Sequence, residues 1–431
     1  MKRLLLLLCA LAIVGCGASA PSPTNPEPTS PSISTAVPTE PTPPTEDQAR
    51  LFAQSSNALG LDLWSRMRAQ RGNQIFSPAS IAVALDMTYG GARGETAAEM
   101  ARVLRAPSDA ATLHQAAGNV LSTWNDPSRD AYTLAVANRL FGEQTYTFEQ
   151  SFLDLTAATY RAPLEPVDFR GAADPSRLRI NGWVAEQTRD RIQDLIPPGA
   201  IDADTRLVLV NAVYFLARWA TEFSANATQP RAFYVDGGDT SASVPTMNRT
   251  GSMRYGEADG VQIVELPYRN HEIAMTIVLP RDRNGLAAIE EGLDPARIDG
   301  WVGALQDGRR VALALPKFRI APAAPIRLSD MLQAMGMRLA VSRQADFTGM
   351  ANPPSPADRL FISQVFHKAF VEVDEQGTEA AAATAVVMAR VGSAAPSEPP
   401  IAFTADHPFL FFIRDLRSGT ILFMGRLTDP R

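Results

Sequence analysis

The segment that most constrains the fold runs from Gly377 to Gly392 and reads G-T-E-A-A-A-A-T-A-V-V-M-A-R-V-G. It has no proline, and glycine only at its ends. Its side chains are too small and apolar for a comfortable surface loop. At the start it is too alanine-rich for a core strand. Read with period two, one face carries Thr378, Ala380, Ala382, Thr384, Val386 and Met388. The other carries Glu379, Ala381, Ala383, Ala385 and Val387. Small residues at the start would let such a segment slide between two existing strands, and the later valines favour a strand. Taken alone, the alanines fit a helix too.

The flanks narrow the choice. Upstream, Phe366 to Val373 (F-H-K-A-F-V-E-V) reads as a strand, followed by D-E-Q. Downstream come F-T-A-D-H-P-F-L-F-F-I-R-D and S-G-T-I-L-F-M-G-R-L. Together these motifs resemble the serpin family: a strand and hinge, a reactive loop over about 377–400, and the C-terminal strands. Near the N-terminus, F-S-P-A-S-I-A (Phe76–Ala82) extends the resemblance to the other half of the chain. It implies an α+β serpin fold, with about three β-sheets, about eight to nine helices and an exposed loop.

The rest of the chain is consistent with α+β. From Asp47, Leu51, Phe52, Leu59, Leu63 and Met67 recur at helical spacing. Pro78 after Ser77 marks a helix start with Ser77 as its cap. Helices are also expected over Glu95–Leu104, Phe148–Tyr160 and much of Leu286–Leu305. A long one is expected over Pro175–Ile196, stopped by Pro197-Pro198-Gly199. By resemblance this last helix crosses the front of the main sheet. Strands are expected at Tyr132–Phe141, Val244–Arg249, Val261–Tyr268, Ile273–Pro280 and Val311–Ile320. The near-continuous apolar run Leu207–Phe215 reads as a strand buried on both faces.

Residues 1–16 read as an export signal: Lys2 and Arg3, then an apolar run from Leu4 too short to span a bilayer. The run ends I-V-G-C, resembling a bacterial lipobox, which implies lipidation of Cys16 and anchoring at the outer membrane or cell surface. An ordinary secretory signal cleaved after Ala18 or Ala20 is the alternative. Residues 17–45 are rich in Pro, Ser and Thr and read as an unfolded spacer. The serpin domain is expected over 46–431. The only cysteines are Cys9 and Cys16, so the domain has no disulfide and no thiolate metal site. A net charge of −6 gives no sign of a nucleic-acid partner. No cofactor is expected, and a monomer is.

No catalytic motif stands out: there is no G-x-S-x-G, H-E-x-x-H or phosphate-binding glycine loop. The resemblance instead implies a protease inhibitor that is itself attacked. A serine protease acylates itself on the loop, as on any substrate. The cut loop then enters the main sheet and strands the acyl-enzyme; some cysteine proteases are open to the same capture. Strand addition of this kind is a recognised binding mode, with serpins among its stock examples. About fourteen inserted residues would span roughly 45 Å. Their ladder bonds would contribute on the order of 10 kcal/mol, so the uncut form is held short of its most stable state.

Residue by residue, the hinge pattern falls on Gly377, Thr378, Glu379, Ala380, Ala381, Ala382, Ala383 and Thr384. Glycine tolerates the pivot, the small residues can enter a sheet, and Glu379 falls on the outward face. Family spacing puts the scissile bond at Val391–Gly392, which suits elastase-like proteases. Arg390–Val391, one residue away, would suit trypsin-like ones. Ser77, Ser80, Asn211 and His367 match the polar cluster where the main strands part. Trp219, Lys317 and Glu375 match the point of first insertion. A non-inhibitory serpin-fold binding protein is the alternative function.

Overall fold

The computed structural model describes residues 43–107, 109–126, 132–378 and 399–431. Helix α1 (Glu46–Met67) starts from a capping box: Gln48 N–H donates to the Thr45 hydroxyl, and Thr45 N–H to the Gln48 side chain. A short strand, β1 (Gln74–Phe76), leads into α2 (Pro78–Gly90), where Ser77 caps and Pro78 opens the helix as expected. Then come α3 (Gly94–Leu104) and α4 (Ala110–Trp124). The long strand β2 (Tyr132–Glu143) precedes α5 (Gln150–Tyr160), β3 (Leu164–Val167), α6 (Phe169–Gln187) and β4 (Leu207–Arg218).

The second half is mostly sheet. Strands β5 (Gln229–Tyr234), β6 (Ser241–Ala258), β7 (Val261–Pro267) and β8 (Ile273–Pro280) follow in antiparallel succession. Helices α7 (Leu286–Glu291) and α8 (Pro295–Ala304) lead to β9 (Gln306–Pro316) and β10 (Phe318–Ile320). After β11 (Ile326–Arg327) and α9 (Ser329–Ala334) come β12 (Phe366–His367), β13 (Val371–Val373) and β14 (Gly377–Thr378). The chain ends in β15 (Ile401–Thr404), β16 (Phe409–Asp415) and β17 (Ile421–Leu427).

Among the described residues nine strands form one sheet in the order β1-β17-β16-β8-β7-β6-β9-β15, with β5 also on β6. Six form a second, β10-β13-β14-β4-β2-β3, and β11 and β12 pair separately. Every residue of β8, β16 and β17 is buried, including Arg414 and Arg426. Those guanidiniums are matched within the core, Arg414 with Glu265 at 3.4 Å and Arg426 with Glu290 at 3.0 Å.

Strand β4 is buried on both faces, as its apolar run predicts. Val213, Phe215 and Ala217 join the main core, while Val210 and Ala212 pack with Phe169, Ile180, Trp183 and Val184 of α6. That helix differs from expectation at both ends. It begins at Phe169, kinks at Ala172 and stops at Gln187 rather than reaching Ile196. The reason is local hydrogen bonding. The Thr188 hydroxyl takes Ile192 N–H, and the Asn181 amide clasps both backbone groups of Ile196 at 2.9 Å. The expected strand over Phe366–Val373 is likewise broken into β12 and β13, and Lys368 between them donates to the carbonyls of Gln193 and Ala323.

Candidate functional site

The hinge begins in a tight turn. Asp374 Oδ1 accepts from Gln376 N–H at 2.8 Å and Gly377 N–H at 3.1 Å. Asp374 N–H in turn donates to Gly377 O at 3.0 Å. Burial raises the Asp374 pKa, and those two amides oppose the rise. The turn delivers Gly377 and Thr378 into the six-stranded sheet. There Thr378 lies opposite Val373 of β13 on one side and Ala217 of β4 on the other. Glycine is required at 377 by a close approach: a Cβ there would lie 2.0 Å from Ala217 O.

Two aromatics just past the ends of β4 and β7 hold this start. Trp219 stacks on Tyr268 with centroids 4.5 Å apart and planes 10° apart. Its indole Nε1 donates to Asp374 O at 2.9 Å, and its backbone N–H to Gln376 O at 2.8 Å. Phe223 N–H takes the next carbonyl, Glu375 O, at 2.8 Å. The Glu375 carboxylate meets Lys317 Nζ at 2.7 Å and the Thr228 hydroxyl at 2.7 Å. Burial would push its pKa up, but those partners together pull it below the ordinary value. Trp219, Lys317, Glu375, Gly377 and Thr378 therefore converge on one place.

The polar cluster also assembles. Ser77 Oγ caps α2 through Ser80 N–H at 3.1 Å, and Ser77 N–H donates to His367 Nε2 at 3.0 Å. Ser80 Oγ bonds the Asn211 side-chain carbonyl. Asn211 Nδ2 donates to Asn138 Oδ1 at 2.6 Å, and Asn138 Nδ2 to Tyr160 O at 3.1 Å. The chain of bonds thus ties β12, the start of α2, β4, β2 and the end of α5. Burial lowers the His367 pKa to about 4, so the ring is neutral at physiological pH. Its Nε2 is then the acceptor for Ser77 N–H.

Other residues belong to these two clusters without having been singled out in the sequence: Asn138, Tyr268, Phe223, Thr228 and Asp374. Asn138 was the most accessible, being a lone amide in an apolar strand. Glu379, Ala380, Ala381, Ala382, Ala383, Thr384, Arg390, Val391, Gly392 and Cys16 lie outside the described residues. Among the described residues no His, Cys, Asp and Glu group could hold a metal ion. No helix among them is long and apolar enough to cross a membrane.

Burial of β4 on both faces, a strand begun between β4 and β13, and a polar network joining β4 to α2 and β12 make up the site. Residues 54–430 match the family model described as Serpin (serine protease inhibitor). The chain belongs to the serpin family. It is 38% identical over 398 residues to human Serpin B4, covering 88% of this chain and 99% of that one. It is 37% identical to an uncharacterized serpin-like protein of Thermococcus kodakarensis, covering both chains completely. Among solved structures it resembles uncleaved ovalbumin, with a TM-score of 0.77 and 29% identity over 88% of this chain and all of that one.

Proposed function

We propose that this serpin is inhibitory: an irreversible suicide-substrate inhibitor of serine endopeptidases, with reach to some cysteine proteases. The observation that supports this most is the seat of Gly377 and Thr378 between β4 and β13. A strand grows most readily from a register already set, because each added residue then gains ladder bonds without a new nucleation cost. The residues next in sequence, Glu379 to Thr384, are small apart from one glutamate that falls on the outward face.

In the proposed reaction the protease serine attacks the Val391 carbonyl. The Val391–Gly392 peptide bond breaks, the Gly392 amine leaves with a proton from the protease's general acid, and the acyl group stays as an ester. Insertion of the freed segment then outruns hydrolysis of that ester. Cleavage at Arg390–Val391 is the competing position. Incubation with elastase and with trypsin should give a complex that survives denaturing electrophoresis, strongest with elastase. Mass spectrometry of the released C-terminal fragment should find Gly392 at its start. Cutting without a complex, for every protease tried, would favour a non-inhibitory binding protein instead.

We further infer that Cys16 carries lipid, residues 17–45 act as a spacer, and the monomeric domain stands off a bacterial outer membrane or cell surface. One acyl chain alone anchors weakly, and several anchor stably. Cys16→Ser should then move the protein from the membrane fraction to the soluble one. An unchanged distribution would leave secretion with an ordinary signal.

A further inference from the structure

A pocket of about 400 Å³ lies beside Trp219, and neither Gly377 nor Thr378 lines it. Small-molecule sites typically enclose roughly 300–1,000 Å³ behind apolar walls with a few polar groups. Here the walls include Trp219, Phe223, Met253 and Leu266, all buried. Two arginines, Arg249 and Arg254, also line it.

The two arginines are not equivalent. Arg254 is matched: it pairs with Glu265 and, at 2.9 Å, with Asp307. Glu265 is further shared with Arg414 at 3.4 Å, so these four charges balance among themselves. Arg249 has no such match. Among the described residues it donates to the Thr221 carbonyl, and its guanidinium carbon sits 5.0 Å from the centroid of the Phe223 ring. No carboxylate among the described residues pairs with it. It is half-buried, and burial lowers its pKa to about 10. A guanidinium carries five N–H donors in a planar fork, so several remain for an incoming carboxylate. A desolvated charge without a counter-ion is unfavourable, and an anion arriving there relieves it.

We propose that this pocket binds a small amphiphilic monocarboxylate, its carboxylate on Arg249 and its apolar body against Trp219, Phe223 and Leu266. One carboxylate is the limit, because among the described residues Arg249 is the lining arginine without a carboxylate partner, while Glu265 and Asp307 hold Arg254. A neutral ligand of the same shape gains the apolar contact but leaves Arg249 unmatched.

Isothermal titration calorimetry of the full-length protein with phenylbutanoate and with phenylbutanamide tests this. The acid should bind, and the amide at least about tenfold more weakly, the factor expected for one charge-assisted hydrogen bond. Arg249→Gln should reduce the acid to the level of the amide, while Arg249→Lys should keep part of the preference. Thermal unfolding of each variant checks that it folds. Three results would overturn the proposal: no binding of the acid at millimolar concentration, equal binding of acid and amide, or acid binding unchanged in Arg249→Gln. If Arg249→Gln does not fold, the acid–amide comparison on the unaltered protein still decides.

Discussion

The hydroxyls of Tyr268 and Thr378 lie 2.6 Å apart, joining the residue that follows β7 in one sheet to β14 of the other. Both side chains are buried, so neither hydroxyl has water as a ready substitute. The Tyr268 ring is also held edge-on by Phe215 at 5.1 Å and face-on by Trp219, so its position does not depend on the hydroxyl. Tyr268→Phe should therefore keep the packing and leave Thr378 Oγ1 buried without this partner. The expected loss is about 1–2 kcal/mol of stability, the cost of one orphaned buried hydroxyl. Chemical denaturation of the uncut protein would measure it. An unchanged midpoint would mean that the bond adds nothing to the seat.

Gly377→Ala tests whether the seat matters for trapping. The Cβ would meet the Ala217 carbonyl oxygen at 2.0 Å and Arg218 Cα at 2.8 Å, both backbone atoms that cannot rotate away. The strand start must then leave the sheet. On the inhibitory reading, the share of protease captured per serpin cut should fall and the share of plain cleavage should rise. Electrophoresis of the products at a series of mixing ratios gives both. An unaltered capture ratio would show that insertion does not depend on this first register.

Much of this was legible from local pattern. Ser77 before Pro78 announces its own cap, and the apolar run of β4 announces two-sided burial, because both signals are carried by neighbouring residues. The misses have a different cause. Asn138 becomes meaningful only once β2 and β4 are in register, which places it directly across from Asn211. Tyr268 meets Thr378 across 110 positions of chain. The end of α6 was overrun because Thr188 and Asn181 stop it through side-chain bonds, while the more conspicuous Pro197 lies past the stop. Helix α4 buries Leu113, Ala116, Ala117, Val120, Leu121 and Trp124 at helical spacing, but its small residues make a weak apolar stripe.

Asp86 on α2 is 1% exposed, and neither carboxylate oxygen has a hydrogen-bond partner among the described residues. Burial pushes its pKa well above the ordinary carboxylate range. A raised folded pKa means that folded and unfolded chains are both protonated below about pH 4, where the titration contributes nothing to stability. As pH rises past that, the unfolded chain ionises and the folded one must keep its proton, so stability falls. Asp86→Asn removes the titration. The variant should be more stable than the parent at pH 7, with the gain shrinking toward pH 4. Urea midpoints across that range would show it, and a gain independent of pH would point to packing instead.

His367 gives the opposite slope. Its folded pKa is lowered from 6.5 to about 4 by burial, while Nε2 accepts Ser77 N–H. Above pH 6.5 the ring is neutral in both states and the bond to Ser77 is intact. Between pH 6.5 and 4 the unfolded chain takes up a proton that the folded chain refuses, so stability declines as pH falls. Integrated over that window the loss is about 3 kcal/mol. The bond it threatens links β12 to the start of α2, which Ser80 and Asn211 connect onward to β4. Acid should therefore weaken the link that joins β12, the start of α2 and β4. His367→Gln cannot titrate, and its amide oxygen can still accept from Ser77. Its denaturation midpoint should stay flatter than the parent's from pH 6.5 to 4.5. If both proteins lose stability with the same slope, the acid sensitivity belongs to other groups and His367 is not its source.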